Sequence, residues 1–150
     1  MRALIQRVSF ANVSIDGSEF SRIDDGLVVF LGIGVDDKIE DVQYLIQKIV
    51  GLRIFSDAEG KMNWALDQVK GEILLISQFT LFASTKKGKR PSYIEAAPPA
   101  QAESLYNAAV SGFKEHLADR VKTGRFGADM KVNLINEGPV TIWIDSRLKT

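Results

Sequence analysis

The sequence contains no cysteine and only one histidine. Without cysteine the chain can form no disulfide, thiolate nucleophile or zinc-thiolate site, which fits a reducing compartment. With one histidine and no cysteine it has no Cys-His pair, and no Ser-His-Asp triad stands out. Any metal site would have to be built from carboxylates, which are scattered over predicted turns and helix faces. We therefore expect neither a metal nor another cofactor.

Long hydrophobic runs are also missing. The longest apolar stretch, residues 27–35, is interrupted by two glycines and is much shorter than the roughly 20 residues that span a bilayer. The N-terminal residues lack the apolar segment and cleavage site of a signal peptide. We therefore expect a cytoplasmic protein that makes no membrane contact.

The chain has no excess of either charge, with 19 basic and 19 acidic residues. Proteins that coat nucleic acid usually carry a strong positive excess, because phosphate neutralisation supplies most of their non-specific affinity. Any nucleic-acid contact must therefore be made by a local patch. With 150 residues, 45% of them hydrophobic, and no repeat or linker, residues 1–150 are predicted to form a single domain.

Strand patterns dominate the first third and the end of the chain. Residues 2–16 alternate between apolar and polar, Asp16-Gly17 is a turn signal, and a short return strand is predicted at 20–23. The continuous apolar runs 27–31 and 73–76 are typical of strands buried on both faces. The second lies in a β segment predicted over 71–83, and alternation returns at the end of the chain in Val132, Leu134, Val140, Ile142 and Ile144.

Two helices are predicted between these strands. Apolar residues recur at helical spacing over 38–51 and over 99–118, and Asp37 with Glu40 has the spacing of a capping box. A further β segment is predicted at 52–55. Together these elements predict an α/β protein: a single-domain layered sandwich of mixed β-sheet with two main helices packed on one face.

The first candidate site follows a buried strand. Ser77-Gln78-Phe79-Thr80 brings three polar side chains to a place where a buried strand normally stays apolar or turns. Polar groups there either find neighbouring backbone partners or meet a ligand. Thr80 is a possible nucleophile, but the sequence shows no base to activate it.

The second candidate is Gly138-Pro139, which interrupts a strand pattern. Proline cannot donate to a β ladder, so this point is an edge, a bulge or a tight turn, with a hairpin turn as the simplest interpretation. A peptide bond before proline is also the common place for a cis bond.

A basic loop is the third candidate, with its cations at Lys86, Lys87, Lys89 and Arg90. Such a run is usually a solvated loop. Together with Arg120, Lys122 and Arg125 it could instead meet phosphates.

Two other features favour structural roles. His116 lies on the flank of the apolar face of the second predicted helix, which indicates a solvated or half-buried residue. Gly32-Ile33-Gly34 lacks the third glycine and the Gly-Lys-Ser/Thr ending of phosphate loops, so it indicates close packing between a strand and a helix.

Seven segments in order resemble the D-aminoacyl-tRNA deacylase family over essentially the whole chain. They are Met1-Arg2-Ala3 with Gln6-Arg7-Val8, Leu52-Arg53-Ile54-Phe55 with Gly60-Lys61-Met62-Asn63, Ser77-Gln78-Phe79-Thr80-Leu81, Lys87-Gly88-Lys89-Arg90-Pro91-Ser92, Ala96-Ala97-Pro98-Pro99, residues 123–130, and Asn136-Glu137-Gly138-Pro139-Val140-Thr141.

The resemblance implies a homodimer that acts on aminoacyl-tRNA. It would hydrolyse the ester that joins a D-amino acid, or glycine, to the terminal adenosine. The site would lie at the subunit interface, with Ser77, Gln78, Phe79 and Thr80 as catalytic residues. Gly138-Pro139 of the other subunit, with a cis bond and flanked by Asn136 and Thr141, would reject L-amino acids through rigid backbone atoms. The basic loop would bind tRNA.

The mechanism expected from the resemblance relies on the RNA. The ribose 2′-hydroxyl would assist water, while the backbone N–H groups around Phe79 and Thr80 stabilise the oxyanion. A Thr80 acyl-enzyme is the competing mechanism. Two other functions stay open at this point: a non-enzymatic nucleic-acid-binding module, and a hydrolase of small D-amino acid esters.

Overall fold

A computed structural model describes residues 1–149 as a mixed α/β domain. In chain order its regular elements are β1 (Arg2–Ile15), β2 (Ser18–Ile23), β3 (Gly26–Gly32), α1 (Ile39–Val50), β4 (Phe55–Ser56), β5 (Met62–Trp64), β6 (Glu72–Ser77), α2 (Pro99–Leu117), β7 (Val121–Thr123) and β8 (Lys131–Asp145). Short 3₁₀ helices follow β6 at Phe79–Phe82 and α2 at Ala118–Arg120.

One mixed sheet organises these elements. Its strand order is β2-β1-β3-β6-β7, and β8 pairs with the other edge of β1. The first half of β1 is antiparallel to β3 and its second half is antiparallel to β2. The strands β3, β6 and β7 run parallel to one another, so their carboxyl ends meet at one edge of the sheet. The strands β4 and β5 form a separate two-stranded hairpin.

The strands β3 and β6 carry buried side chains on both faces, as predicted. One face contributes Leu27, Val29, Leu31, Ile73 and Leu75 to the core beneath α1 and α2. The other face contributes Val28, Leu74 and Ile76 to a second core, which the sheet itself covers, since β1 and β8 fold over it. The predicted layered sandwich with both helices on one face is therefore confirmed.

The start of α1 differs from the prediction. Lys38, not Asp37, is the N-cap residue, and the Lys38 backbone N–H donates to Asp41 at 2.8 Å. Asp37 is buried and accepts hydrogen bonds from the Gly34 N–H at 2.6 Å and from the Met1 nitrogen at 2.7 Å. Its carboxylate is occupied by these partners, so the cap passes to the next residue.

Three other local predictions are also revised. The β segment expected at 52–55 is reduced to β4, which starts at Phe55. The segment expected over 71–83 ends as a strand at Ser77, and a 3₁₀ helix follows. Gly138-Pro139 is no hairpin turn, since it lies within the continuous strand β8.

The paired glycines after β3 allow a close approach, although not against an α-helix. A Cβ at Gly32 would lie 2.9 Å from the Leu81 Cβ, and one at Gly34 would lie 2.7 Å from the Phe82 ring. Real Cβ atoms do not come this close to other carbons, so the glycines let the 3₁₀ helix pack directly on the end of β3. They fix the segment that follows Ser77. No helix within residues 1–149 has both the length and the apolarity that crossing a membrane requires.

Candidate active site

A cavity of about 660 Å³ opens at the carboxyl ends of β3 and β6, the edge where open α/β sheets usually bind ligands. Its floor is the end of β6 and the residues that follow. The remaining walls are the segment before α2, the first turn of α2, and the loop that leads into β8. The lining residues are Leu31, Ile33, Ile76, Ser77, Gln78, Phe79, Tyr93, Ala96, Ala97, Pro98, Pro99, Ala102, Phe126, Gly127, Ala128, Met130 and Val132.

The cavity wall contains no carboxylate, imidazole, ammonium or guanidinium group, and Tyr93 supplies its one phenol. Behind this wall, Tyr106 donates a hydrogen bond to the Leu75 carbonyl at 2.8 Å. Burial raises the pKa of the Tyr106 phenol well above its usual range, so this side chain stays a neutral structural donor. The cavity wall therefore lacks the side chains that usually act as general acids or bases.

Backbone hydrogen bonds to β3 and within the 3₁₀ turn hold the polar segment Ser77–Thr80. The Gln78 N–H donates to the Leu31 carbonyl at 2.8 Å, and the Leu81 N–H donates to the Gln78 carbonyl at 3.2 Å. The N–H groups of Phe79 and Thr80 begin the 3₁₀ helix and donate to no described residue. Ser77, Gln78 and Phe79 line the cavity, whereas Thr80 is exposed beside it.

Thr80 has a partner that does not activate it. The Gln78 side-chain amide donates to the Thr80 hydroxyl oxygen. An amide donor takes up a lone pair of that oxygen and accepts no proton from it. The structure therefore brings the predicted catalytic residues together, but it assigns no base to Thr80 among residues 1–149.

Arg2 fixes the far end of this segment. Its guanidinium donates to the Leu81 carbonyl at 2.9 Å and to the Asp145 carboxylate at 3.1 Å, and it lies 4.3 Å from the centre of the Phe82 ring. These contacts connect the first residues of β1 and the last of β8 to the 3₁₀ helix. The sequence reasoning assigned Arg2 no role.

The residues around Gly138-Pro139 form a bulge in β8. In the register with β1, Thr141 lies opposite Gln6 and Asn136 lies opposite Val8. Residues 137–140 of β8 therefore lie opposite the single residue Arg7. The Gly138-Pro139 peptide bond is cis. Asn136 ties the bulge together, since its side chain accepts from the Val140 N–H at 2.9 Å and donates to the Thr141 hydroxyl at 2.8 Å.

Arg7, in the neighbouring strand β1, holds the bulge in place. Its guanidinium donates to the Glu137 carbonyl at 3.0 Å and to the Ile54 carbonyl. Gly138 has a φ of 128°, and a Cβ there would lie 2.8 Å from Nη2 of Arg7. The bulge is thus fixed in position while Gly138 and Pro139 remain exposed. The segments that carry the family resemblance include Arg7, but no role was predicted for it. The signal in the sequence was a cation within an alternating strand.

Within one chain the two candidate segments do not meet. The bulge lies beside Val8 of β1. Across the sheet, Val8 pairs with Gly26 of β3, and Gly26 pairs with Glu72 at the start of β6. Ser77 lies five positions further along β6, in the row of Leu31. Five positions along a strand correspond to roughly 17 Å. One subunit therefore carries the polar cavity and the bulge at opposite ends of its sheet.

The basic loop is exposed over Lys86, Lys87, Lys89 and Arg90, and none of the four forms a salt bridge with a described residue. Two hydrogen bonds between Ser84 and Ser92, of 2.8 and 2.9 Å, close the base of the loop. The loop leads directly to Tyr93 on the cavity wall.

The wider patch with Arg120, Lys122 and Arg125 stays a prediction, and each of these cations has contacts of its own. Arg120 donates to the Gly71 carbonyl at 3.1 Å, at the amino end of β6. Lys122 donates to a carbonyl of its own turn at 3.1 Å, and Arg125 lies 3.8 Å from Asp16. Arg120 and Lys122 are thus engaged by backbone carbonyls, whereas Arg125 is exposed and directly precedes Phe126 of the cavity wall.

The remaining candidates play no part in the cavity. His116 is exposed in the last turn of α2, as expected for a flank residue. Over residues 1–149, no three His, Cys, Asp or Glu side chains are grouped so that they could hold a metal ion. The sequence reasoning gave no role to Tyr93, Phe126 or Met130, whose part in the wall depends on how distant segments meet.

Comparison with known proteins gives a consistent result. The family model described as D-Tyr-tRNA(Tyr) deacylase matches residues 4–145. A D-aminoacyl-tRNA deacylase of Cytophaga hutchinsonii is 56% identical over 149 residues, covering 99% of each chain. One of Thermosipho africanus is 50% identical over 147 residues, covering 98% of each chain.

Solved structures agree with these matches. A structure titled c-Myc DNA Unwinding Element Binding Protein has a TM-score of 0.92 at 37% identity, with 97% of this chain and 98% of the other covered. A structure titled as a probable eukaryotic D-amino acid tRNA deacylase has a TM-score of 0.84 at 16% identity over 95% and 97% of the two chains, and so shows the fold alone. On the family model and the near-full-length relatives, the chain belongs to the D-aminoacyl-tRNA deacylase family.

Proposed function

We propose that the protein hydrolyses the ester that joins a D-amino acid to the 3′-terminal adenosine of tRNA. The observation that carries this proposal is the cavity, whose polar floor Ser77–Phe79 is enclosed by apolar walls without charged side chains. Such a site can bind a neutral ester and hold it in one orientation. Family membership supplies the class of ester.

The reaction proceeds with help from the substrate. Water adds to the ester carbonyl and passes its proton through the ribose 2′-hydroxyl to the 3′-oxygen that leaves. The N–H groups of Phe79 and Thr80, which donate to no described residue, stabilise the oxyanion formed on the carbonyl oxygen. The products are the free D-amino acid and the tRNA with its 3′-hydroxyl restored. Thr80 positions the substrate and forms no acyl-enzyme, because its hydroxyl contacts an amide and, among residues 1–149, no base.

A second subunit completes the site. The strand β8 pairs with β1 alone among the described strands, and it exposes the large apolar side chains Ile135 and Trp143. Long exposed edge strands with apolar side chains pair readily with another chain. In the proposed homodimer, Gly138-Pro139 of one subunit enters the cavity of the other beside Ser77–Thr80. The separation of the two segments within one chain supports this assignment.

The bulge selects D-amino acids over L-amino acids. Its atoms are fixed by Arg7 and Asn136, so they do not move aside for a side chain that points toward them. An L-amino acid would direct its side chain at this wall, whereas a D-amino acid directs only hydrogen there. Glycine has no side chain to exclude, so glycyl-tRNA is also a substrate.

The basic loop takes part in tRNA binding through phosphates. Its four cations are exposed and unpaired with the described residues, as groups that must meet an anion should be. The net charge of zero argues against a general nucleic-acid-binding module, which would need charge over a wider surface.

The first prediction separates the proposed enzyme from its alternatives. The protein should cleave D-tyrosyl-tRNA and leave intact the same ester on a tRNA that ends in 2′-deoxyadenosine, because the assisting hydroxyl is missing. The measurement is single-turnover release of labelled D-tyrosine. A binding module would cleave neither substrate, and a hydrolase of simple esters would cleave both.

A second prediction concerns Thr80. Thr80→Ala should keep substantial deacylation, with kcat within about tenfold of the unaltered protein, because a lost positioning contact costs about 1 kcal/mol. Thr80→Ser is the matched control. Near-complete loss in a folded Thr80→Ala protein would establish a nucleophile and end the RNA-assisted version.

The third prediction addresses the bulge. Gly138→Ala places a Cβ against Arg7 and Val140, so it should shift Pro139 and lower the ratio of D- to L-tyrosyl-tRNA cleavage by tenfold or more. Gly60→Ala is the matched control, because Gly60 also has a positive φ but a Cβ there meets nothing within 4 Å. An unchanged ratio in Gly138→Ala would remove the bulge from chiral selection.

The same variant tests whether the bulge acts across subunits. Ala128→Trp should fill the cavity of its own chain, since Ala128 lines it. When Ala128→Trp and Gly138→Ala proteins are unfolded together and refolded as a mixture, D-specific cleavage should reappear, because a mixed dimer contains one intact site. If mixing restores nothing although mixed dimers form, each chain must use its own bulge.

A fourth prediction concerns the loop. Replacing Lys86, Lys87, Lys89 and Arg90 by alanine should weaken tRNA binding and reduce the slope of log K against log salt by about 3. The control replaces four other exposed lysines, Lys38, Lys48, Lys61 and Lys114, which removes the same charge away from the cavity and from β8. Filter binding over a salt series measures both slopes, and equal slopes in the two variants would reduce the loop to a solvated turn.

A further inference from the structure

Two large side chains are exposed at the rim of the cavity. Ile94 has 82% of its surface exposed and Tyr93 has 38%. The Tyr93 ring lines the cavity and packs edge-on against Phe79, with the ring centres 5.0 Å apart. An aromatic ring beside a largely exposed aliphatic side chain forms an apolar patch, and such patches mark interaction sites.

This rim is held by backbone hydrogen bonds on both sides. Before it, Ser92 is paired with Ser84. After it, the Ala96 N–H donates to the Tyr93 carbonyl at 3.0 Å, and the Val35 N–H donates to the Glu95 carbonyl at 3.1 Å. Tyr93 and Ile94 are therefore displayed by a fixed turn.

The rim lies between two features of the proposed site. Tyr93 belongs to the cavity wall on one side, and on the other side the Ser84–Ser92 pair leads directly into the cationic loop. Along the chain, Tyr93 and Ile94 lie between this loop and the rest of the cavity wall, which places them where a strand of RNA running from the cavity to the cations would pass. Proteins hold single-stranded nucleic acid by this combination of cations for phosphates and apolar or aromatic surfaces for bases.

We propose that Tyr93 and Ile94 form a stacking platform for the base of the unpaired nucleotide that precedes the esterified adenosine. This inference rests on the proposed function and extends it by one nucleotide. The charge of the neighbouring loop favours a nucleotide as occupant over a second copy of the chain, because a phosphate lies next to each base and would meet the exposed cations.

The experiment compares three esters of one D-amino acid. They are the ester of adenosine, the ester of a dinucleotide that ends in adenosine, and the ester of that dinucleotide with an abasic site in the first position. For the unaltered protein, kcat/KM should rise about tenfold or more from the first ester to the second, mainly through KM, and the abasic substrate should lose most of this gain.

Variants then locate the platform. Tyr93→Ala and Ile94→Ser should bring the ratio of dinucleotide to adenosine ester close to that of the abasic substrate. Tyr93→Phe should keep the gain, because it keeps the ring. Leu148→Ser is the matched control, since Leu148 is also strongly exposed, at 70%, and lies outside the rim; it should leave the ratio unchanged.

Other results would overturn the inference. It fails if the abasic substrate keeps the full gain, if both rim variants keep it, or if Ile94→Ser instead dissociates subunits in analytical ultracentrifugation, which would make the rim a protein contact. Binding of the unesterified dinucleotide, with and without its first base, is measured in parallel. A base-dependent affinity that Tyr93→Ala removes would support the platform even if no ester were cleaved, in which case only the proposed function would fail.

Discussion

The burial of β3 and β6 on both faces is the constraint on which the rest of the structure depends. Ile73, Leu74, Leu75 and Ile76 are all buried, so no polar side chain is tolerated along this stretch. Polar groups can enter only where the strand leaves the two cores, at Ser77. Because β3 runs parallel to β6 and ends beside it, the polar groups, the packing glycines and the 3₁₀ helix all meet at this one edge.

The chemistry of the site follows from how that edge is built. The two cores adjoin this end of β3 and β6 on either face of the sheet. The segment before α2 covers it with alanine and proline side chains. Charged side chains are costly to desolvate in such a place, which leaves backbone dipoles and the uncharged side chains of Ser77 and Gln78 as the polar groups available. Fixed N–H groups need no reorganisation when charge develops on a substrate. A site of this kind suits a substrate that brings its own hydroxyl, as the ribose of an aminoacyl ester does.

Most of the fold could be predicted from the sequence because its periodicities are strong. The alternation in β1, the apolar runs of β3 and β6, and the helical spacing in α1 and α2 each reflect burial along a single element. Errors arose where a distant partner decides the outcome. Asp37 has the spacing of a cap, but its buried carboxylate accepts a hydrogen bond from the Met1 nitrogen, 36 positions away in the chain, besides the one from nearby Gly34.

The candidate site was predictable to a similar extent. The polar strand end and the strand interruption both stand out in the sequence, since each breaks a local pattern. Arg7 and Tyr93 do not, because their roles come from meeting residues far along the chain: Arg7 reaches Glu137 in β8, and Tyr93 reaches Phe79.

The placement of the bulge also explains why rigidity and exposure occur together. A bulge buried inside its own subunit would need no clamp, since packing would hold it. Here Gly138 and Pro139 are exposed, and yet Arg7 and Asn136 bind the backbone on both sides of them. Ordering exposed backbone costs conformational entropy, and the hydrogen bonds of Arg7 and Asn136 offset that cost and keep the bulge in one shape. In the proposed dimer it meets the ester bound by the other subunit, where a wall that yields could not distinguish a hydrogen atom from a side chain.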